Sequence, residues 1–271
     1  MDLTNLKIIK EILKKHNLWA KHSLGQNFLI DRDILDIACS TAELNKEDIV
    51  VEIGGGLGTL TRELCKQSKE VVSCEIDGEI IPVLEENTEE FNNLRIEQIS
   101  GLEYNPPFKK YKIVANIPYY ITAHFLRHIL EEVENRAEKI VLLIQKEVAK
   151  KIIAKEGDMN LLSLSVQVFG KPEYIATVEA DAFHPAPKVQ SAIIKIDTYK
   201  TPKINCTLKE FFHIINHCFQ QKRKKLRSSL KGYAKINKDK LEELDKSFNL
   251  DKRPQELSIE DWENIIKKIN N

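Results

Sequence analysis

Ile49-Val50-Val51-Glu52-Ile53-Gly54-Gly55-Gly56-Leu57-Gly58-Thr59-Leu60-Thr61-Arg62-Glu63-Leu64-Cys65 carries three local signals in succession. An apolar run of strand length comes first, a glycine-rich turn follows, and then comes a segment with Leu60 and Leu64 on one helical face. Strand, glycine turn and helix form the opening unit of a nucleotide-binding α/β domain. Glycines alone are weak evidence, and the next segment strengthens them. Val71-Val72-Ser73-Cys74 reads as a second strand ending at Glu75. Glu75 stands about 20 residues beyond the first glycine, where an acidic side chain takes both hydroxyls of a ribose. The glycines follow G-x-G-x-G and lack the later glycine of the dinucleotide fingerprint. That pattern favours S-adenosylmethionine, which has no pyrophosphate, over NAD.

The same alternation continues outward. Leu94-Arg95-Ile96-Glu97-Gln98-Ile99 reads as a third strand followed by Ser100, and Tyr111-Lys112-Ile113-Val114 as a fourth leading into Asn116-Ile117-Pro118-Tyr119-Tyr120. A helix over 123–130, a fifth strand over 139–144 and a helix over 147–154 complete the series. This order predicts a Rossmann-like, doubly wound, mainly parallel sheet with its ligands at the carboxyl ends of the strands. Gly54, Glu75, Ser100 and Asn116 all fall at such ends. Upstream, residues 3–18 read as an amphipathic helix, and Asp31 as the N-cap of another. Between them, residues 21–29 read either as a loop packed on the domain or as a flap over a cofactor. Downstream, a helix is expected over 161–169 and strands over 174–178 and 191–196. The Pro-stiffened loop Phe183-His184-Pro185-Ala186-Pro187-Lys188-Val189 between those strands is expected to present Phe183 toward the same edge.

Composition bounds the rest. The 271 residues suffice for one large and one small domain, and the formal net charge is zero. Any nucleic-acid binding must therefore come from local basic clusters. A compositional shift near Thr201-Pro202 divides a Rossmann-like domain, 1–200 with residues 1–30 as its flap, from a helical domain, 201–271. In the latter, Lys222, Arg223, Lys224, Lys225 and Arg227 read as a basic helix, equally a solvated face or a phosphate-binding one. The five scattered cysteines, with no C-x-x-C, fit small core thiols in a reduced, cytoplasmic protein. No signal-peptide block, membrane span or metal site is expected. His124/His128 and His213/His217 have helical spacing but lack further ligands, and no nucleophile elbow or Walker lysine appears.

Asn116, the Ile117 carbonyl and Pro118, which donates no N–H, offer acceptors for a planar amino group, and Tyr119 offers a face for a base. Together with Leu24-Gly25-Gln26-Asn27-Phe28-Leu29, the glycine turn, the Phe183–Val189 loop and Phe219-Gln220-Gln221-Lys222-Arg223-Lys224-Lys225-Leu226, in that order, these residues resemble the rRNA adenine N6,N6-dimethyltransferase family, most of all its small-subunit (16S) branch. The resemblance implies that Asn27, Leu29, Gly54, Glu75, Ser100 and Asn116 line an S-adenosylmethionine site. It also implies that Asn116 and the Ile117–Pro118 backbone hold adenine N6, that Tyr119 and Phe183 sandwich the flipped base, and that the C-terminal basic segment docks on 16S rRNA. The implied substrate is two adjacent adenosines in a hairpin loop near the 3′ end of 16S rRNA, and a monomer is expected. Ser100 replaces the family's usual Asp, so weaker cofactor binding is expected. Gly55 stands where many relatives have Pro, Tyr120 where many have Asn, and Ala186 replaces one of a usual run of prolines. The rival readings are a large-subunit rRNA methyltransferase and a weakly catalytic small-subunit assembly factor.

Overall fold

A computed structural model describes residues 1–233 and 236–270. In chain order the elements are α1 (Leu6–Lys15), β1 (Phe28–Leu29), α2 (Arg32–Ala42), β2 (Ile49–Ile53), α3 (Thr59–Gln67), β3 (Glu70–Glu75), α4 (Ile81–Thr88), β4 (Leu94–Gln98), β5 (Lys112–Asn116), α5 (Thr122–Arg127), β6 (Lys139–Gln145), α6 (Lys146–Ile152), α7 (Leu161–Gln167), β7 (Gly170–Val178), β8 (Phe183–His184), β9 (Ser191–Thr198), α8 (Leu208–Phe219), α9 (Leu226–Lys231), α10 (Lys238–Ser247) and α11 (Ile259–Asn270). The chain divides into two compact units, residues 1–149 with 171–198, and residues 150–170 with 199–271.

The first unit is built on a sheet of order β4-β3-β2-β5-β6-β9-β7. The pairs β2–β3, β2–β5, β3–β4 and β5–β6 are parallel, and β9 runs antiparallel to β6. Ile140 to Ile144 are all buried, as a strand covered on both faces requires. Because β2 has β3 on one side and β5 on the other, the order of connection reverses beside β2. That reversal opens a crevice outside the carboxyl ends of β2 and β5. Local sequence sets the helix starts: the Asp31 carboxylate accepts from Ile34 N at 3.1 Å, and Pro82 sits in the first turn of α4, where its missing N–H costs nothing. Tight packing extends to the glycine turn. A Cβ on Gly55 would lie 2.4 Å from Ser73 Oγ and 2.7 Å from Leu84 Cδ2.

Three expectations are corrected. Residues 150–170 belong with the second unit and not with the first: the Tyr199 and Lys203 N–H groups bond the carbonyls of Phe169 and Val168, and Gly157 and Met159 bond Gln255. The run 222–225 is not helical. It forms the turn between α8 and α9, because Leu226 N and Arg227 N bond the carbonyls of Lys252 and Leu250 and so start α9 afresh. Phe183 is not exposed at the sheet edge. It lies in β8, which pairs antiparallel with β1 in the register Phe28–His184 and Leu29–Phe183. Its ring is 2% exposed and belongs to a core with Leu29, Val141, Leu143 and Ile193.

In the second unit, Trp262, Ile265, Ile266 and Ile269 form the buried stripe of α11, and the Trp262 and Phe219 rings lie 6.2 Å apart. The cysteines 39, 65, 74 and 218 are buried, and burial pushes each thiol up to about 12, so none is a nucleophile at neutral pH. Among the described residues no helix is long and apolar enough to cross a membrane.

Placing Phe183 in the core makes it a stability residue. Phe183→Ala is expected to cost about 3–5 kcal/mol, read as a lowered urea midpoint. An unchanged midpoint would return the ring to a surface role.

Candidate active site

The crevice beside β2 is an open cleft of about 1000 Å³, including its solvent-facing mouth. Four strand ends supply its wall: Gly54 after β2, Glu75 at the end of β3, Ser100 after β4 and Asn116 at the end of β5. Asn27 and Leu29 close it from the N-terminal segment, and Pro118, Tyr119 and Tyr120 form part of its rim. The structure therefore brings together every residue expected at the cofactor site, together with Pro118 and Tyr119. Phe183 is not in the wall.

Glycine is required where the backbone turns toward the cleft. Gly54 has φ +80° and Gly56 has φ +54°, values that L side chains rarely adopt. A Cβ on Gly54 would lie 3.6 Å from the Asn116 carbonyl oxygen, so β2 and β5 deliver their ends side by side.

Two carboxylates stand behind this turn. Glu75 is 6% exposed. Its Oε2 accepts from Gly56 N and its Oε1 from Asp77 N, both at 2.9 Å. Burial raises its pKa, and the backbone N–H groups of Asp77, Gly56 and Ile76 oppose that rise. Glu52 is 1% exposed, and its Oε2 accepts from Thr61 Oγ1 at 2.6 Å and Ser73 Oγ at 2.7 Å. Its Oε1 is buried without a hydrogen-bond partner. Desolvation pushes the Glu52 carboxyl up to about 7, against the two hydroxyl hydrogen bonds. Sequence reading passed over Glu52, although an acid inside the apolar run Ile49–Ile53 was a visible signal.

The segment 21–29 is tied down at both ends. Lys21 Nζ donates to Asp77 at 2.8 Å and pairs with Glu79 at 2.9 Å, while Gln26 Nε2 donates to the other Asp77 oxygen at 2.9 Å. Burial disfavours the Asp77 charge, yet the hydrogen bonds from Lys21 and Gln26 outweigh it and hold the carboxyl below its usual range. Asn116 Nδ2 donates to the Asn27 carbonyl at 3.0 Å, and Asn27 Nδ2 donates to the Gly25 carbonyl at 3.0 Å. With its amide nitrogen so engaged, Asn116 keeps Oδ1 as its acceptor. The Ser100 hydroxyl accepts from Leu102 N at 3.2 Å, which spends part of its capacity on its own turn. Tyr119 Oη lies 2.5 Å from Ser191 Oγ, and burial raises its pKa.

Three of the four helix-spaced histidines make structural contacts. His128 Nε2 meets the Tyr104 carbonyl at 3.0 Å, and His213 and His217 both pack on the Tyr233 ring at 5.4 Å. Among the described residues no cluster of three or more His, Cys, Asp or Glu is arranged to hold a metal ion. Of the basic run in the second unit, Lys225 pairs with Asp251 at 3.1 Å and Arg227 pairs with Asp245, whereas Lys222, Arg223 and Lys224 are exposed with no ion pair among the described residues.

Comparison with known proteins agrees with this geometry. The family model described as ribosomal RNA adenine dimethylase matches residues 17–271. The chain belongs to the ribosomal RNA adenine dimethylase family. A relative from Clostridium botulinum (strain Kyoto / Type A2), named ribosomal RNA small subunit methyltransferase A, is 38% identical over 93% of this chain and 95% of its own. A protein of the same name from Dehalococcoides mccartyi is 37% identical over 94% and 90%. Among solved structures, a dimethyladenosine transferase from Plasmodium falciparum superposes with a TM-score of 0.76 at 28% identity, covering 89% of this chain and 95% of that one. The 23S rRNA methyltransferase ErmE superposes at 0.73 and 26% identity, covering 90% and 100%. As a ribosomal RNA adenine dimethylase, the protein is a Rossmann-like methyltransferase that acts on rRNA and uses S-adenosylmethionine.

Glu52 gives the fold a pH signature. Its folded pKa of about 7 lies above the ordinary glutamate value of 4.5. Its stabilising share is therefore complete below about pH 4.5 and is lost as pH rises toward about 7, a change of about 3 kcal/mol at most. Glu52→Gln is expected to remove that slope, as shown by urea unfolding at pH 5 and pH 7.5. Parallel losses in both proteins across this interval would refute the assignment.

Proposed function

We propose that this protein transfers methyl groups from S-adenosylmethionine to N6 of two adjacent adenosines in the 3′-terminal hairpin loop of 16S rRNA, in the assembling small subunit. The observation that carries the reading is the juxtaposition, at one sheet edge, of Asn116 with the glycine turn and Glu75. The chain is also more similar to the small-subunit methyltransferases, at 38% and 37% identity, than to ErmE at 26%.

The cleft fits the cofactor. The Glu75 carboxylate, already fixed by two backbone N–H groups, would hold the ribose hydroxyls. The positive-φ turn at Gly54 and Gly56 would let backbone approach the methionyl part, Asn27 and Leu29 would close over it, and Ser100 would stand on the adenine side. Bound there, S-adenosylmethionine supplies an electrophilic methyl group on its sulfonium.

The chain's task is to place N6 and raise its nucleophilicity. The N6 lone pair is delocalised into the purine ring. Asn116 Oδ1 and the Ile117 carbonyl accept the N6 hydrogens, which favours a pyramidal nitrogen with its lone pair toward the methyl group. Tyr119 holds the base by its ring, and its hydroxyl bond to Ser191 fixes that ring. As the N6–C bond forms the S–C bond breaks, and the proton that N6 loses passes to solvent, so positioning supplies much of the acceleration and no strong general base is needed. Phe183 supports the site from the core, since it pairs with Leu29 in the cleft wall. The second unit docks on the subunit through Lys222, Arg223 and Lys224, whose charges are uncompensated. The protein works in the cytoplasm as a monomer, and an assembled, partly immature subunit is a better substrate than free rRNA.

The test is transfer from labelled S-adenosylmethionine to unmethylated small subunits, with nucleoside analysis. The expected product is N6,N6-dimethyladenosine in 16S rRNA, and Asn116→Ala is expected to lower the rate by about 100-fold or more. Methylation of 23S rRNA instead would refute the substrate, and tight subunit binding without transfer would favour the assembly-factor reading. Replacing Lys222, Arg223 and Lys224 together by Ala is expected to weaken subunit binding and to reduce the salt slope by about 2–3. An unchanged slope would move the docking surface elsewhere.

A further inference from the structure

Tyr119 and Tyr120 are neighbours in sequence with opposite environments. Tyr119 is half-buried, with its hydroxyl on Ser191. Tyr120 is 60% exposed and yet lies on the rim of the catalytic cleft. Single exposed aromatics are ordinary on a protein surface. Two observations set this one apart.

The ring is held in place from behind. The one-turn helix Tyr119–Ile121 is fixed by Ile121 N donating to the Pro118 carbonyl at 3.2 Å and Thr122 Oγ1 donating to the Tyr119 carbonyl at 3.1 Å. One edge of the Tyr120 ring faces Gly25, where a Cβ would lie 3.4 Å from Cε1 and 3.5 Å from Cδ1. Glycine there leaves room for the ring beside the 21–29 segment. The rest of the ring is open. Among the described residues Tyr120 has no aromatic partner, and its hydroxyl has no hydrogen bond.

We propose that Tyr120 is a stacking platform for an unpaired nucleobase that flanks the target adenosine. The inference rests on the reading that an RNA adenosine enters this cleft. The target base must reach Asn116 at the end of β5, so the nucleotides joined to it stay at the rim, where Tyr120 stands. Drawing one base out of a loop strips its neighbour of a stacking partner, and the fixed phenol face replaces that partner. Stacking of this kind tolerates any base, because every base has a π face. Tyr120 would thus set how the RNA strand is held on either side of the reacting nucleotide, a task separate from recognising N6.

The experiment compares wild type with Tyr120→Phe, Tyr120→Leu and Tyr120→Ala. Small-subunit affinity is measured by filter binding, KM and kcat by methyl transfer, and S-adenosylmethionine Kd by calorimetry. Leu and Ala are expected to weaken subunit affinity and raise KM about tenfold, while Phe stays within about twofold of wild type and cofactor Kd holds in all four. Leu equal to Phe would overturn the proposal, since a merely apolar contact would then suffice. Losses that track weaker cofactor binding would overturn it too, and would show that the ring acts through Gly25. Affinity for the subunit is read without turnover. A wild type that binds subunits and yields no N6-methylated adenosine would therefore refute the proposed function while the ordering of the variants still judged Tyr120.

Discussion

Parallel pairing of β2 with β5 is the constraint on which the site depends. It brings two chain segments, each leaving the sheet at its carboxyl end, to one place. One segment turns through glycines with positive φ and the other through Asn116-Ile117-Pro118. The near contact between the Gly54 α-carbon region and the Asn116 carbonyl sets the spacing between a cofactor-binding turn and a base-binding turn. The strand pairing is backbone geometry, so that spacing is fixed before any ligand arrives.

Charge inside the first unit is arranged around the same turn. Glu75 is buried but supplied with backbone N–H donors, whereas Glu52 is buried deeper with hydroxyl donors on one oxygen only. The two carboxylates lie close enough for Glu75 to raise the Glu52 pKa further. Asp77, two residues beyond Glu75, gathers Lys21 and Gln26 and so fastens the N-terminal segment to the loop that follows β3. Asn116 fastens the same segment from the other side through the Asn27 carbonyl. The segment that covers the cleft is thus held by the two loops that also hold its expected ligands.

Much of this was legible in the sequence, because period and punctuation carry it. The strand, glycine turn and helix at 49–65 and the four strand ends with Gly54, Glu75, Ser100 and Asn116 needed only apolar periodicity and glycine to be placed. Other features left no such trace. A two-residue strand has no alternation to read, so β1 and β8 were invisible, and with them the face on which Phe183 lies. Residues 222–225 are good helix formers by type, yet bonds to Leu250 and Lys252, distant in sequence, break the helix there. Residues 150–170 looked continuous with the sheet domain, because sequence order does not reveal which body a helix packs on.

The crowding at Gly55 couples residues 52, 55 and 73 physically. A proline at position 55 would bring a Cβ into the space now filled by Ser73 Oγ and Leu84. Removing the Ser73 hydroxyl makes room, but it also takes one of the two hydrogen bonds from Glu52. A side chain introduced at position 55 alone therefore displaces Ser73 or Leu84, and one accommodated by removing the Ser73 hydroxyl strips a donor from a buried acid. Ser73 thus links the glycine turn to the carboxylate beneath it: the hydroxyl that crowds position 55 is one of the two donors to Glu52.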